Sequence, residues 1–191
     1  MHTPIRRIVT GEPRPGHSVF THIEEVEPFI NGLAKIYSVW GYDEPPVLPF
    51  CTTAAYDKTS MFPPASGIRV HVIVFPPPPD GSAEPTRDRV AEVEVVRRME
   101  EIPVGLERPR GPGIARGTHR TDTIDIGVVL SGKLGLICTD GQQEILQAGD
   151  VFVQNGAMHA WRGLDPDQDN SIAVITLPAT RILEHADDPE T

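Results

Sequence analysis

The chain has 191 residues, a formal net charge of −10 and 20 prolines, and this proline share is about twice the usual one. Its length suits one domain with a sizeable core. The acidic balance argues against a nucleic-acid binder or a binder of anionic membranes, because both need a basic surface to meet phosphates. The many prolines favour loops and short strands over a helical bundle.

The cysteine content and the apolar pattern indicate the compartment. Cys51 and Cys138 can form at most one disulfide, and neither a leader-type apolar segment nor a bilayer-long apolar run is visible. We therefore expect a reduced, cytoplasmic protein without membrane or nucleic-acid partners. Cys138 lies within a strand-like run, so we expect a buried and inert thiol there.

The first half of the chain predicts short strands separated by irregular segments. Ile5–Thr10 and Ser18–His22 flank a segment rich in glycine and proline, and Ala34–Trp40 is a third strand-like run. The first two runs indicate a hairpin-like arm. We expect the N-terminal strands to extend a sheet and to help form a symmetric homodimer, the commonest type of oligomer.

A strong strand pattern over Ile68–Phe75 is followed by a change of period. Its alternation places Arg69 and His71 on one face. His71 is a pocket candidate and a reserve metal ligand, although the pattern favours a polar pair on the outer surface.

The later stretch Thr86–Glu101 repeats valine at three-residue spacing and predicts an inserted amphipathic helix.

From Thr121 onward, tight turns separate a series of short strands. The predicted strands are Ile124–Leu130, Leu134–Cys138, Gln142–Leu146, Val151–Gln154, Met158–Arg162 and Ile172–Leu177. Asp140 followed by Gly141 between two such runs is a strong hairpin signal. Short strands at regular spacing predict a mostly antiparallel β-barrel or sandwich.

Three ligand-type residues occur in this part of the chain: His119, Asp125 and His159. In an extended segment, residues 119, 125 and 127 share a face, so the first two ligands can point into one barrel interior. Gly127 would leave room above a bound metal, and Trp161 would form an aromatic wall beside His159. Two imidazoles and one carboxylate hold a catalytic metal and leave coordination positions open.

The same stretch resembles the two motifs of the cupin superfamily, which are small jelly-roll barrels. The first family motif reads G-x5-H-x-H-x(3,4)-E-x6-G, and the second reads roughly G-x5-P-x-G-x2-H-x3-N. The matching residues are Gly113, His119 and Gly132 in the first motif and Gly149, Gly156 and His159 in the second. The resemblance implies that His119, Asp125 and His159 are the metal ligands.

The departures from the motifs are informative. Thr121 stands where the family has its second histidine, Asp125 replaces the usual glutamate, and Gln154 is one of two residues in place of a proline. Thr121 is a candidate for a hydrogen bond near the metal, beside the plainer interpretation of a strand threonine. The resemblance therefore implies an open three-ligand site or a barrel that has lost its metal.

The amino-acid sequence around the two motifs is similar to that of a subgroup of single-domain cupins, which are found in bacteria and in fungal biosynthetic clusters. Some of the fungal members are described as cupin-type oxidoreductases. The resemblance implies one cupin domain over residues 1–191. Its expected parts are an N-terminal arm with strands (1–66), a strand with the helical insertion (67–112), the core motifs (113–180) and a tail (181–191).

Two classes of function follow. The first is a metal-dependent enzyme that acts on a small organic molecule, with iron, zinc or manganese as the divalent ion. Iron would suit an oxidoreductase or dioxygenase, and zinc would suit an isomerase, dehydratase or decarboxylase. The second is a non-catalytic cupin that binds or senses a metabolite. Thr121, Trp161 and His71 are the pocket candidates, and Asp122 is the nearest candidate for acid–base chemistry.

Overall fold

The computed structural model describes residues 4–30, 34–49, 51–52, 60–75, 77–78, 106–109, 111–115 and 117–182. Within these ranges the regular structure consists of antiparallel strands. The strands are β1 (Arg6–Arg14), β2 (His17–Glu25), β3 (Pro28–Ile30), β4 (Lys35–Tyr42), β5 (Ile68–Phe75), β6 (Thr123–Ser131), β7 (Lys133–Cys138), β8 (Gln143–Gln147), β9 (Val151–Gln154), β10 (His159–Gly163) and β11 (Asn170–Pro178). Nowhere in the described ranges is there a helix that is long and apolar enough to cross a membrane.

Two sheets enclose the main core. A six-stranded sheet has the order β3-β4-β5-β11-β6-β9, and a three-stranded sheet has the order β10-β7-β8. Leu134 of the smaller sheet packs with side chains of the larger one, and this cluster comprises Val129, Phe152, Ile172 and Val174 besides Leu134. The predicted antiparallel jelly-roll is confirmed, although the described strands do not close into a complete barrel.

The register aligns polar and apolar side chains in two neighbouring rows of the six-stranded sheet. The first row consists of Arg69, Thr176, Asp125 and Gln154. The second row consists of His71, Val174, Gly127 and Phe152. Residues directly opposite each other in an antiparallel pair point to the same face. Because Val174 and Phe152 belong to the core cluster, both rows face the space between the sheets.

The first two strands form a separate two-stranded hairpin. Among the described strands they pair only with each other, whereas the other N-terminal strands, β3 and β4, extend the large sheet. The hairpin is tied to β4 by Arg7, whose guanidinium donates to the Glu24 carboxylate at 2.7 Å and to the Val39 carbonyl at 3.3 Å. The hairpin therefore has a fixed attachment to the outside of the sheet.

The predicted strands agree with the observed ones to within a few residues, and Ile68–Phe75 and Val151–Gln154 agree at both ends. The short strand β3 was not expected, because it begins with Pro28 and spans only three residues. The helix predicted over Thr86–Glu101 lies outside the described residues. The division of the domain into four parts stays a prediction.

Candidate metal site

The two predicted histidine ligands lie side by side. The His119 amide donates to the His159 carbonyl at 2.9 Å, and the His159 amide donates to the His119 carbonyl at 3.0 Å. This reciprocal pair of bonds places both side chains on one face, and their ring centroids are 4.5 Å apart. Residues that are 40 positions apart in the sequence thus form one pair.

A backbone carbonyl fixes the tautomer of each ring. Nδ1 of His119 lies 2.8 Å from the Gly117 carbonyl oxygen, and Nδ1 of His159 lies 2.8 Å from the Ala157 carbonyl oxygen. Because a carbonyl oxygen only accepts hydrogen bonds, each Nδ1 carries the proton. The lone pair of each neutral ring is therefore on Nε2, as in histidines that bind metals.

The electrostatic surroundings also favour the neutral, ligating form of both rings. Burial lowers the pKa of His159 to about 4, with a further lowering by His119 and an opposing effect of the hydrogen bond to Ala157. Burial likewise lowers the pKa of His119, the bond to Gly117 opposes this, and Arg108 adds to it. At neutral pH neither imidazole needs to lose a proton before it binds a cation.

Asp125 projects from β6 into the space between the sheets. Burial raises the pKa of its carboxyl, while hydrogen bonds with Thr176 and Thr123 oppose that rise. Oδ1 is buried and has no hydrogen-bond partner within the described part of the chain. A buried acceptor without a partner is unfavourable, so this oxygen is available to a ligand or a water molecule.

The carboxylate does not join the two histidines. Among the described residues, no three His, Cys, Asp or Glu side chains are grouped closely enough to hold a metal ion. Aspartate is one methylene shorter than the glutamate of the cupin motif, and this shorter reach is a physical reason for the separation. The assignment of Asp125 as the third ligand stays a prediction.

Gln154 is a residue of the site that sequence reasoning missed. It lies directly opposite Asp125, and its Nε2 donates at 3.1 Å to the Ala157 carbonyl that also anchors His159. It therefore links the row that contains the carboxylate to the histidine pair. The signal was present in the motif comparison, where Gln154 departs from the expected proline.

Thr121 and Trp161 each follow one histidine of the pair by two residues. Thr121 is buried, and its hydroxyl lies 2.6 Å from the Thr123 hydroxyl. The Trp161 ring packs against Phe152 at a centroid distance of 4.8 Å and lies 6.1 Å from the His159 ring. Phe152 and Trp161 therefore form an aromatic wall next to His159.

The space expected above Gly127 is filled. A Cβ added to Gly127 would lie 2.6 Å from Cε1 of Phe152 and 2.7 Å from the Ala173 carbonyl oxygen. The glycine thus accommodates the Phe152 ring, and the expectation that it leaves room for a ligand is wrong.

The expectation of an outward polar pair on β5 is also wrong. Arg69 and His71 are buried, with exposed fractions of 3% and 1%. Arg69 forms an ion pair with Asp43 at 2.6 Å and bonds the Ser60 hydroxyl at 2.8 Å, so its charge is compensated inside the structure. His71 lies in the row of Gly127 and Phe152, which makes it a lining residue of the interior.

Cys138 also differs from expectation, because the structure exposes it. It is the cross-strand partner of His159 at the end of the three-stranded sheet. Cys138 is the last residue of β7, and strand ends are less covered than strand centres, so its place in a strand-like run did not predict its exposure.

The burial of His71 predicts a loss of stability in acid. Burial, with a smaller effect of Arg69, lowers the pKa of His71 from 6.5 to about 4. Between pH 6.5 and about 4 the unfolded chain binds more protons than the folded chain. The contribution of the neutral His71 ring to the free energy of unfolding is therefore complete above about pH 6.5 and is lost as the pH falls through about 4. In urea titrations, His71→Gln should lose less free energy of unfolding than the wild type over this interval. Equal losses in the two proteins would contradict the prediction.

Comparisons with known proteins identify related sequences. No family model matches the chain. Phomopsin biosynthesis cluster protein C' of Diaporthe leptostromiformis is 37% identical over 89 residues, which are 42% of this chain and 47% of that protein. Phomopsin biosynthesis cluster protein D of the same fungus is 40% identical over 75 residues, 39% of this chain and 38% of that protein.

A third relative carries the family in its name. A cupin-domain-containing oxidoreductase of Neurospora crassa is 41% identical over 51 residues, 27% of this chain and 26% of that protein. The chain spans less than half the length of each of these relatives. The cupin-named relative and the antiparallel jelly-roll pairing of the strands support a place for the chain in the cupin superfamily.

Proposed function

We propose that the chain is a metal-dependent enzyme of the cupin type that acts on a small organic molecule. His119 and His159 would bind a divalent ion through Nε2, and Asp125 would be the third ligand. The observation that carries the proposal is the pair of neutral imidazoles whose Nδ1 atoms are fixed by the carbonyls of Gly117 and Ala157.

The residues fit a metal ion in two respects. The imidazoles are adjacent, neutral and oriented by backbone hydrogen bonds, which is the form that metals bind. Oδ1 of Asp125 is a buried acceptor without a partner in the described ranges, which a cation or a ligated water would satisfy. Asp125 does not reach the histidines in this structure, so its ligation requires a shift of the side chain or of β6.

The chemistry depends on which ion is present. A bound iron or manganese ion would supply redox chemistry, whereas zinc would polarise a carbonyl or activate water. The names of the fungal cupin-domain-containing oxidoreductases support the first alternative. The zinc alternative would be an isomerase, a dehydratase or a decarboxylase.

The protein groups would bind and orient the substrate. Phe152 and Trp161 form an apolar wall, which excludes water and suits a substrate with an apolar or aromatic part. The hydroxyls of Thr123 and Thr176 form hydrogen bonds with the Asp125 carboxyl. Gln154 and His159 share the Ala157 carbonyl, so movement of one affects the orientation of the other.

A second candidate function is that of a non-catalytic cupin that binds or senses a metabolite. The observation in its favour concerns Asp122, the nearest acid–base candidate, which is bound to Arg181 at 2.6 Å. Because the Arg181 guanidinium already occupies this carboxylate, proton transfer would have to come from the metal or the substrate. The predicted homodimer stays a proposal, and the exposed apolar side chains Ile8, Phe20 and Ile23 of the hairpin support it.

The metal content of the purified chain tests the proposal. Elemental analysis should find about one divalent ion per chain, as expected for a single site with open positions. Asp125→Asn should weaken binding by at least about tenfold, since it removes a charged ligand. Asp140→Asn in an exposed turn is the matched control and should bind as the wild type does.

The same preparation distinguishes catalysis from binding. Consumption of oxygen or depletion of a substrate by the metal-loaded wild type, lost in Asp125→Asn, would support the oxidoreductase. Stoichiometric metal without turnover of any small organic molecule would favour the binding protein. A metal-free protein that takes up no iron, zinc or manganese would refute both metal-dependent alternatives.

A further inference from the structure

Arg181, which follows the last strand, joins two loops of the site. Its Nε donates to Oδ1 of Asp122 at 2.6 Å. Its Nη2 donates to the Thr121 carbonyl at 3.0 Å and to the Gly156 carbonyl at 2.7 Å. One guanidinium therefore holds the loop before β6 and the loop before β10.

One of these loops contains His119, and the other leads directly to His159 at the start of β10. Thr121 is two residues after His119, and Gly156 is three residues before His159. The two loops are also connected by the reciprocal backbone bonds between His119 and His159. Arg181 thus supplies a second connection between the same segments, and this connection comes from a third part of the chain.

The approach of the guanidinium to Gly156 depends on the absence of a side chain there. Gly156 has a φ of +62°, and an added Cβ would lie 2.9 Å from Nη2 of Arg181 and 3.0 Å from the Thr121 carbonyl oxygen. Glycine adopts this backbone conformation without a steric penalty. The motif glycine therefore serves both the turn and the contact with Arg181.

The chemistry of the contact suits arginine. The planar guanidinium donates to several acceptors at fixed angles, whereas a lysine ammonium is a single compact charge. Bonds between an ionised donor and its acceptor are stronger than neutral ones. The side chains of Arg181 and Asp122 are only 25% and 19% exposed, so water screens the pair less than a fully exposed pair.

We propose that Arg181 is a positioning residue that keeps His119 and His159 at the separation needed to bind a metal together. The inference rests on the proposed metal site for its function, but its structural part is independent of any metal. Without the guanidinium, the backbone bridge between the histidines should open more often, and their Nε2 atoms should no longer converge on one ion.

Hydrogen exchange of the metal-free protein tests the structural part. In Arg181→Gln, the amides of His119 and His159 should exchange at least about tenfold faster than in the wild type, because local opening becomes easier. Amides of the β1–β2 hairpin should be unchanged. Arg14→Gln, at an exposed position of that hairpin, is the matched control. Unchanged exchange at both histidines in Arg181→Gln would overturn the inference.

Zinc titration of the same proteins tests the functional part. Arg181→Gln should bind Zn²⁺ about 10- to 100-fold more weakly, the usual effect of losing a group that orients a ligand. Arg181→Lys should lie between this variant and the wild type. If Arg181→Gln fails to fold, Asp122→Asn removes the ion pair but keeps both carbonyl bonds, and it should show smaller changes of the same kind.

The outcomes separate the two proposals. If the wild type binds zinc and Arg181→Gln binds it equally tightly, Arg181 has no positioning role, while the metal site stands. If the wild type binds no divalent ion, the proposed function is wrong, and the exchange rates alone decide whether Arg181 holds the two loops together.

Discussion

Replacing His159 with alanine should abolish stoichiometric metal binding. The ring centroids of His119 and His159 are 4.5 Å apart. The variant loses the His159 imidazole, so His119 is the one ring of the pair that remains to bind the ion. We expect the affinity for the bound ion to fall more than about 100-fold, beyond the usual effect of losing a group outside the ligand set. Isothermal titration of the metal-free variant, together with elemental analysis of the purified protein, measures this fall.

An exposed histidine provides the control for His159→Ala. His17 lies at the start of β2 and is exposed, so His17→Ala should retain wild-type metal content. Equal metal content in the wild type and His159→Ala would mean that the ion is held elsewhere. The proposed site would then be wrong, even if the protein remains a metalloprotein.

Replacing Phe152 with alanine should cause a large loss of stability. Phe152 is buried in the main core, packs against Trp161 and fills the space left by Gly127. Truncation of a buried phenylalanine removes apolar contacts and leaves a cavity, and it lowers the free energy of unfolding by about 3–5 kcal/mol. Chemical denaturation monitored by tryptophan fluorescence measures the change, because Trp161 loses its aromatic neighbour.

The next residue of the same strand is the control for Phe152→Ala. Val153 points away from the core and is 56% exposed, so Val153→Ala should change the free energy of unfolding by less than about 1 kcal/mol. A loss for Phe152→Ala as small as that for Val153→Ala would contradict the packing of Phe152 between Gly127 and Trp161.

The strands were predictable because local periodicity and turn chemistry determine them. The alternation in Ile68–Phe75 and the hairpin signal at Asp140 and Gly141 correspond to β5 and to the turn between β7 and β8. The pairing of β11 with β5 and β6 was not predictable, because these contacts join distant segments whose apolar patterns are alike. For the same reason the alternation in β5 did not reveal which of its faces is inside.

The candidate site was predictable in its histidines and less so in their surroundings. Motif spacing selected His119 and His159, which the structure brings together. The role of Gln154 depends on the Ala157 carbonyl, and the filled space at Gly127 depends on the rotamer of Phe152. Such contacts are set by tertiary packing and leave no periodic signal in the sequence.

The location of the histidine pair would link the binding of the proposed metal ion to folding. His119 precedes a strand of the six-stranded sheet, whereas His159 begins a strand of the three-stranded sheet, so the pair spans the junction of the two sheets. An ion bound by both rings would bind the folded chain and not the unfolded one. At a free ion concentration of about 100 times the dissociation constant, mass action adds about 2.7 kcal/mol to the free energy of unfolding. The cohesion of the jelly-roll would then depend on the supply of metal in the cell.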